Sequence, residues 1–174
     1  MIKEKLNQLA PELNVSKWFN TKSELSLSSL RGRPVLIHAF QMLCPGCVSH
    51  AIPQTQKAYE MFANTDLAVI GLHTVFEHHA AMTPVALEAF IHEYRLTFPI
   101  GVDQPDANGV IPATMSLYEM NGTPTTIIIN RDGHIAFQLF GSIDDMALGM
   151  SIQSALASKA TVNPGEHSPK KSGS

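Results

Sequence analysis

The chain has two cysteines among its 174 residues, Cys44 and Cys47, and one tryptophan, Trp18. A secreted scaffold held by disulfides spaces its cysteines to close long loops. This pair closes almost none, so the two thiols serve chemistry or a metal. Charge of either sign is scarce, with 12 Lys and Arg against 15 Asp and Glu. No basic run stands outside Lys170 and Lys171, which argues against nucleic acid or an anionic membrane surface as a partner. No apolar stretch approaches the roughly 20 residues of a membrane helix. The opening residues, Met1 to Gln8, lack the apolar segment of a signal peptide. The expectation is a cytoplasmic protein, or a periplasmic one if a leader has been removed. No internal repeat is present.

What the chain does have is 44% hydrophobic residues, enough for one domain to bury a full core without disulfide staples. Residues 1–23 carry scattered apolar positions (Leu6, Leu9, Leu13, Trp18, Phe19) without a strong period, and read as an N-terminal extension over the core. Glu24–Ser28 alternates polar and apolar, as a half-buried strand does. Val35–Phe40, Leu67–Leu72 and Thr125–Ile129 are short apolar runs of strand formers, the pattern of strands covered on both faces. Helical stretches are expected over Cys47–Phe62, kinked or broken near Pro53, over Pro84–Tyr94, over a short piece at Ala113–Met120, and over Ile143–Ser158. Arg131-Asp132-Gly133 is a hairpin turn into His134–Phe140. Residues 160–174 are rich in Pro, Gly, Ser, Lys and His and are expected to form a disordered tail, leaving residues 24–159 as the domain. The alternation of strands and helices predicts an α/β mixed sheet flanked by helices.

A buried strand thus runs directly into Cys44, and a helix begins there. Unpaired N–H groups and the positive end of the helix dipole stabilise a thiolate at that position, and thiolate is the attacking species in disulfide exchange. Cys47 lies one turn further on the same face and can resolve a mixed disulfide on Cys44. Pro45 suits the first helical position because its missing N–H costs nothing there, and Gly46 lets another backbone approach. The rival reading is half of a zinc site completed by two of His50, His73, His78, His79 and His92. No two of these follow the finger pattern, and the strand–CxxC–helix context favours redox chemistry over metal.

Val35-Leu36-Ile37-His38-Ala39-Phe40-Gln41-Met42-Leu43-Cys44-Pro45-Gly46-Cys47 resembles the strand, active-site loop and helix start of thioredoxins. The nearer likeness is to TlpA/ResA-type thiol–disulfide oxidoreductases of the redoxin group. A second block, Gly122-Thr123-Pro124 followed by Thr125–Ile129 and the Asp132-Gly133 turn, is similar to that family's cis-proline loop, strand and hairpin. Val69–Thr74 and Tyr94–Ile100 resemble the helix and strand that this branch inserts between the CxxC helix and the cis-proline loop. The resemblance covers residues 24–158. It implies a thioredoxin fold, exchange with protein or small-molecule thiols and disulfides, and no cofactor or resident metal. It also implies a cis Thr123–Pro124 bond facing the cysteines. The Thr123 backbone would then pair with a substrate chain, and Pro124 would keep metal off the thiols.

Three positions depart from the family. Leu43 replaces the tryptophan before the first cysteine, Pro53 lies one place late, and His38 stands where thioredoxins carry a buried acid. That acid takes the proton of the second thiol. A neutral imidazole at His38 could do the same, or His38 could be a core residue satisfied by a backbone carbonyl. His73, His78, His79 and His92 are expected on a surface helix and loop, and Met42, Met61, Met82, Met115 and Met120 as core filling. Peroxiredoxins share the fold but need Thr or Ser three residues before the reactive cysteine and Pro four before that. Cys47 has Cys44 and Phe40 at those places and Cys44 has Gln41 and Ile37, so a peroxidase is the weaker reading. A redox-inert binding module is a third, against which the intact CxxC and Thr-Pro loop argue.

Overall fold

The computed structural model describes residues 7–160. The expected tail beyond residue 160 and the first six residues of the extension lie outside them. The elements run β1 (Val15–Phe19), β2 (Val35–Phe40), α1, β3 (Ala68–His73), α2 (Pro84–Glu93), β4 (Ile100–Asp103), α3 (Ala113–Leu117), β5 (Thr125–Ile129), β6 (Ile135–Phe140) and α4 (Asp145–Ala157). Helix α1 contains a π-helical turn, Cys47–Ala51, and continues as α-helix through Ile52–Met61. The strands form one six-stranded sheet in the order β1-β4-β3-β2-β5-β6. Strands β2, β3 and β4 are parallel, and β1, β5 and β6 each pair antiparallel with their neighbours. This is the mixed sheet flanked by helices that the sequence predicts.

Strand β2 lies at the centre and every residue in it is buried. Its side chains alternate. Leu36 and Phe40 join Val69, Ile128 and the buried faces of α1, α2 and α4 in one core. Val35, Ile37 and Ala39 join Ile127, Ile129, Met115, Tyr118, Leu27 and Leu30 in the other. His38 shares the first face, so it points toward α1. Gly71 in β3 marks a close approach: a Cβ there would lie 2.7 Å from a Phe98 ring carbon and 3.2 Å from Phe40.

Two local expectations are corrected. Glu24–Ser28 is not a strand. Its apolar–polar alternation comes from a loop entering a turn at Leu27, where serines close the backbone locally. Ser29 Oγ donates to the Ser26 carbonyl at 2.8 Å, and the Glu12 carboxylate accepts the Leu27 and Ser28 N–H groups at 2.8 and 2.6 Å. Such side-chain bonds compete with a ladder for the same donors. The strand of this region is instead β1, inside the segment read as an extension. It pairs with β4 from Val15↔Asp103 to Phe19↔Ile100, with a register shift between Val15 and Lys17. Among the methionines, Met42, Met82, Met115 and Met120 are buried, whereas Met61 is 77% exposed at the end of α1.

At the far end of the β2/β5 pair, Arg131 ties three segments together. Its guanidinium donates to the carbonyls of Gly32, Leu156 and Ser158 at 2.7–3.0 Å and to Asp66 Oδ2 at 3.0 Å. The strand starts, the approach to β3 and the carboxyl end of α4 therefore share one planar group. Among the described residues no helix is long and apolar enough to cross a membrane.

Candidate active site

The chain leaves β2 at Phe40, turns through Gln41–Cys44 and enters α1. Cys44 N–H donates to the Gln41 carbonyl at 3.1 Å and the Cys44 carbonyl accepts from Val48 N–H at 3.0 Å, which makes Cys44 the residue on which the helix starts. Pro45 and Gly46 are already helical. The kink expected at Pro53 takes the form of a widened turn ahead of it: Ile52 N–H reaches back five residues to the Cys47 carbonyl. A proline ring collides with the carbonyl four residues earlier in a regular helix, and a π-turn relieves that collision without ending the helix.

The two sulfurs differ sharply in exposure. Cys44 is half-buried and Cys47 is fully buried, and both are free thiols. Cys47 N–H donates to Cys44 Sγ at 3.3 Å, and the Cys44 thiol donates to the Thr123 carbonyl at 3.5 Å. Burial, and next the hydrogen bond with Cys44, push the Cys47 thiol up to about 12. The Thr123–Pro124 peptide bond is cis. Pro124 abuts the cysteine turn, since a Cβ on Gly46 would lie 3.6 Å from Pro124 Cδ, an ordinary contact. Two segments 79 residues apart thus meet at one sulfur. Leu43, in the place of the family's tryptophan, is 57% exposed beside it.

His38 is buried behind this turn. The Thr55 hydroxyl gives its proton to the Ala51 carbonyl at 2.8 Å. Its 2.7 Å contact with His38 Nδ1 is therefore one in which the imidazole donates. That tautomer leaves Nε2 as the acceptor, 3.5 Å from the Thr126 hydroxyl. Burial, with a smaller contribution from His50, lowers the His38 pKa to about 4, so the ring is neutral. Threonine hydroxyls, and not a backbone carbonyl, satisfy it.

His73 is the site-adjacent residue that sequence reasoning misplaced. It ends β3 and is 1% exposed, while His78, His79 and His92 lie at the surface as expected. A histidine closing an apolar run, Ala68-Val69-Ile70-Gly71-Leu72-His73, was the available signal. His50 binds the Ile143 carbonyl at 3.0 Å. Among the described residues no group of three or more His, Cys, Asp and Glu side chains is gathered as a metal-binding set.

A model of the AhpC/TSA family matches residues 6–138. The chain is 30% identical to protein DipZ of Mycobacterium bovis over 138 residues, 78% of this chain and 19% of DipZ, so it spans about a fifth of that relative's length. It is 24% identical to the thiol-disulfide oxidoreductase ResA of Bacillus thuringiensis over 139 residues, 80% of this chain and 72% of ResA. The crystal structure of a thioredoxin-like superfamily protein shares 50% identity over 86% of this chain and 97% of its own, with a TM-score of 0.84. A thiol-disulfide isomerase from Corynebacterium glutamicum shares 46% identity over 86% and 98%, with a TM-score of 0.82.

Proposed function

The chain belongs to the AhpC/TSA family, as a TlpA/ResA-type member with the thioredoxin fold, and on that premise we propose that it exchanges disulfides with protein or small-molecule thiol partners through Cys44 and Cys47. The observation that carries this reading is the asymmetry of the pair: one sulfur offered to solvent between an N–H donor and the Thr123 carbonyl, the other fully buried one turn behind it.

In the reducing direction, Cys44 thiolate attacks one sulfur of the partner's disulfide. The partner's S–S bond breaks, its second sulfur leaves as thiolate and takes a proton from water, and a mixed disulfide joins partner and Cys44. Cys47 then loses its proton and attacks Cys44 Sγ. The partner's first sulfur departs, and a Cys44–Cys47 disulfide holds the oxidising equivalents. Two electrons have passed to the partner, and the reverse sequence oxidises a dithiol. A Cys47 thiol pushed up to about 12 needs a proton acceptor for the second step. We assign that task to His38, a neutral ring on the β2 face toward α1. Its acceptor Nε2 meets the Thr126 hydroxyl at 3.5 Å, and its pKa, lowered to about 4, lets it pass the proton on but not hold it. Thr123 and Pro124, with Pro45 and Gly46, form the proposed partner surface.

The test is a Cys47→Ser variant incubated with a disulfide-bearing protein. A mixed disulfide on Cys44 should accumulate and be released by added thiol. Alkylation that labels Cys47 before Cys44 in the parent protein would overturn the assignment.

A further inference from the structure

The turn that carries Cys44 is held from behind by the end of β3. Met42 is buried, and its N–H donates to His73 Nε2 at 3.4 Å. The Phe40 carbonyl just before it accepts from Thr74 N–H at 3.0 Å. Gln41, 1% exposed, accepts from Phe76 N–H at 3.3 Å through Oε1 and donates to Glu77 Oε1 at 3.4 Å through Nε2. The Gln41 carbonyl in turn takes the Cys44 N–H at 3.1 Å.

Because Nε2 of His73 accepts, the ring's proton sits on Nδ1, and that buried Nδ1 has no hydrogen-bond partner among the described residues. The Phe40 ring packs on the imidazole with centroids 5.3 Å apart. A phenylalanine or leucine would fill the space without an unmet donor, so what histidine supplies here is the acceptor. Burial lowers its pKa to about 4, which keeps that acceptor through the neutral range.

We propose that His73 is a positioning residue for Cys44, its Nε2 fixing the Met42 amide so that the Gln41–Cys44 turn delivers the sulfur to the Cys47 N–H and the Thr123 carbonyl. This rests on the reading of Cys44 as the exchanging sulfur. The consequence is that a residue touching neither thiol helps set the reactivity of Cys44 and the potential of the pair.

The experiment compares His73→Gln, which keeps an acceptor near the same place, with His73→Phe, which keeps the packing and removes it. The readouts are the alkylation rate of Cys44 at neutral pH and the reduction potential against glutathione. His73→Gln should stay within about twofold of the parent. His73→Phe should slow Cys44 alkylation by about five- to tenfold, the equivalent of one ordinary hydrogen bond lost, and shift the potential. A folded His73→Phe with the parent's rate and potential overturns the proposal. Should that variant fail to fold, nitrogen NMR of the parent decides. A bare Nε2 with a protected Met42 amide supports the assignment, and an Nε2–H tautomer or a freely exchanging Met42 amide refutes it. A parent protein that exchanges with no disulfide would sink the proposed function alone, since the alkylation and NMR readouts need no partner.

Discussion

Acid should destabilise this protein in a window set by its two buried histidines. His38 and His73 each have a folded pKa of about 4 against an ordinary 6.5, both through burial. Above pH 6.5 the imidazoles are neutral in the folded and unfolded chain, and the full stability is present. As pH falls below that value the unfolded chain takes up protons first, and stability drains away until about pH 4, where the folded rings protonate and the slope flattens. Each histidine contributes a slope of up to about 1.4 kcal/mol per pH unit and a total of about 3 kcal/mol across the window. The pair together is comparable to the whole folding free energy of many domains. Urea denaturation at a series of pH values between 4 and 7 measures it. His38→Gln and His73→Gln should each remove about half of the slope. Buried Asp103, whose carboxyl burial raises, acts with the opposite sign, but it is common to parent and variants and cancels in the difference. Variants that keep the parent's slope would refute the argument that these rings are buried neutral.

Replacing His38 by Ala should slow release of the mixed disulfide while leaving the first attack by Cys44 nearly intact, checked by stopped-flow measurement of the two half-reactions. Gly71→Ala should cost about 1–3 kcal/mol, because the added methyl meets two aromatic rings of the core; a melting temperature equal to the parent's would contradict it. Arg131→Met should lower stability by about 1 kcal/mol by removing its hydrogen bonds to the carbonyls at the end of α4, read by urea denaturation, with the potential of the cysteine pair unchanged.

The parts of the fold legible in the sequence are those whose local pattern and tertiary surroundings agree. Strand β2 is apolar because it is covered on both sides, and α2 begins at Pro84 as expected, capped by Thr83, whose hydroxyl accepts Ala86 N–H. Strand β1 was hidden because an edge strand with three half-buried residues and two exposed ones has no clean period. Its existence is decided by β4, some 85 residues away. The CxxC motif and the Thr-Pro loop were legible as motifs. The partners of His38 were not, since Thr55 and Thr126 come from 17 and 88 residues away and look like any other threonines. His73 was misread because the loop that follows it, Thr74–Met82, is rich in surface residues, and the one local sign that β3 extends to it is that it closes an apolar run.

Arg131 and Cys44 sit at opposite ends of the same pair of strands. The β2/β5 ladder runs from Val35↔Ile129 near the guanidinium to Ala39↔Thr125 near the sulfur, roughly 13 Å of strand. Sites so separated, sharing no partner, contribute to stability independently. The molecule is therefore modular along its strands. Substitutions around Arg131, Asp66 and the end of α4 can raise or lower its tolerance to heat and denaturant while the redox couple keeps its set point, and changes in the Gln41–Cys47 turn can retune that couple on an unaltered frame. An engineer seeking a more robust catalyst or a differently poised one would work at two ends of one ladder and combine the results.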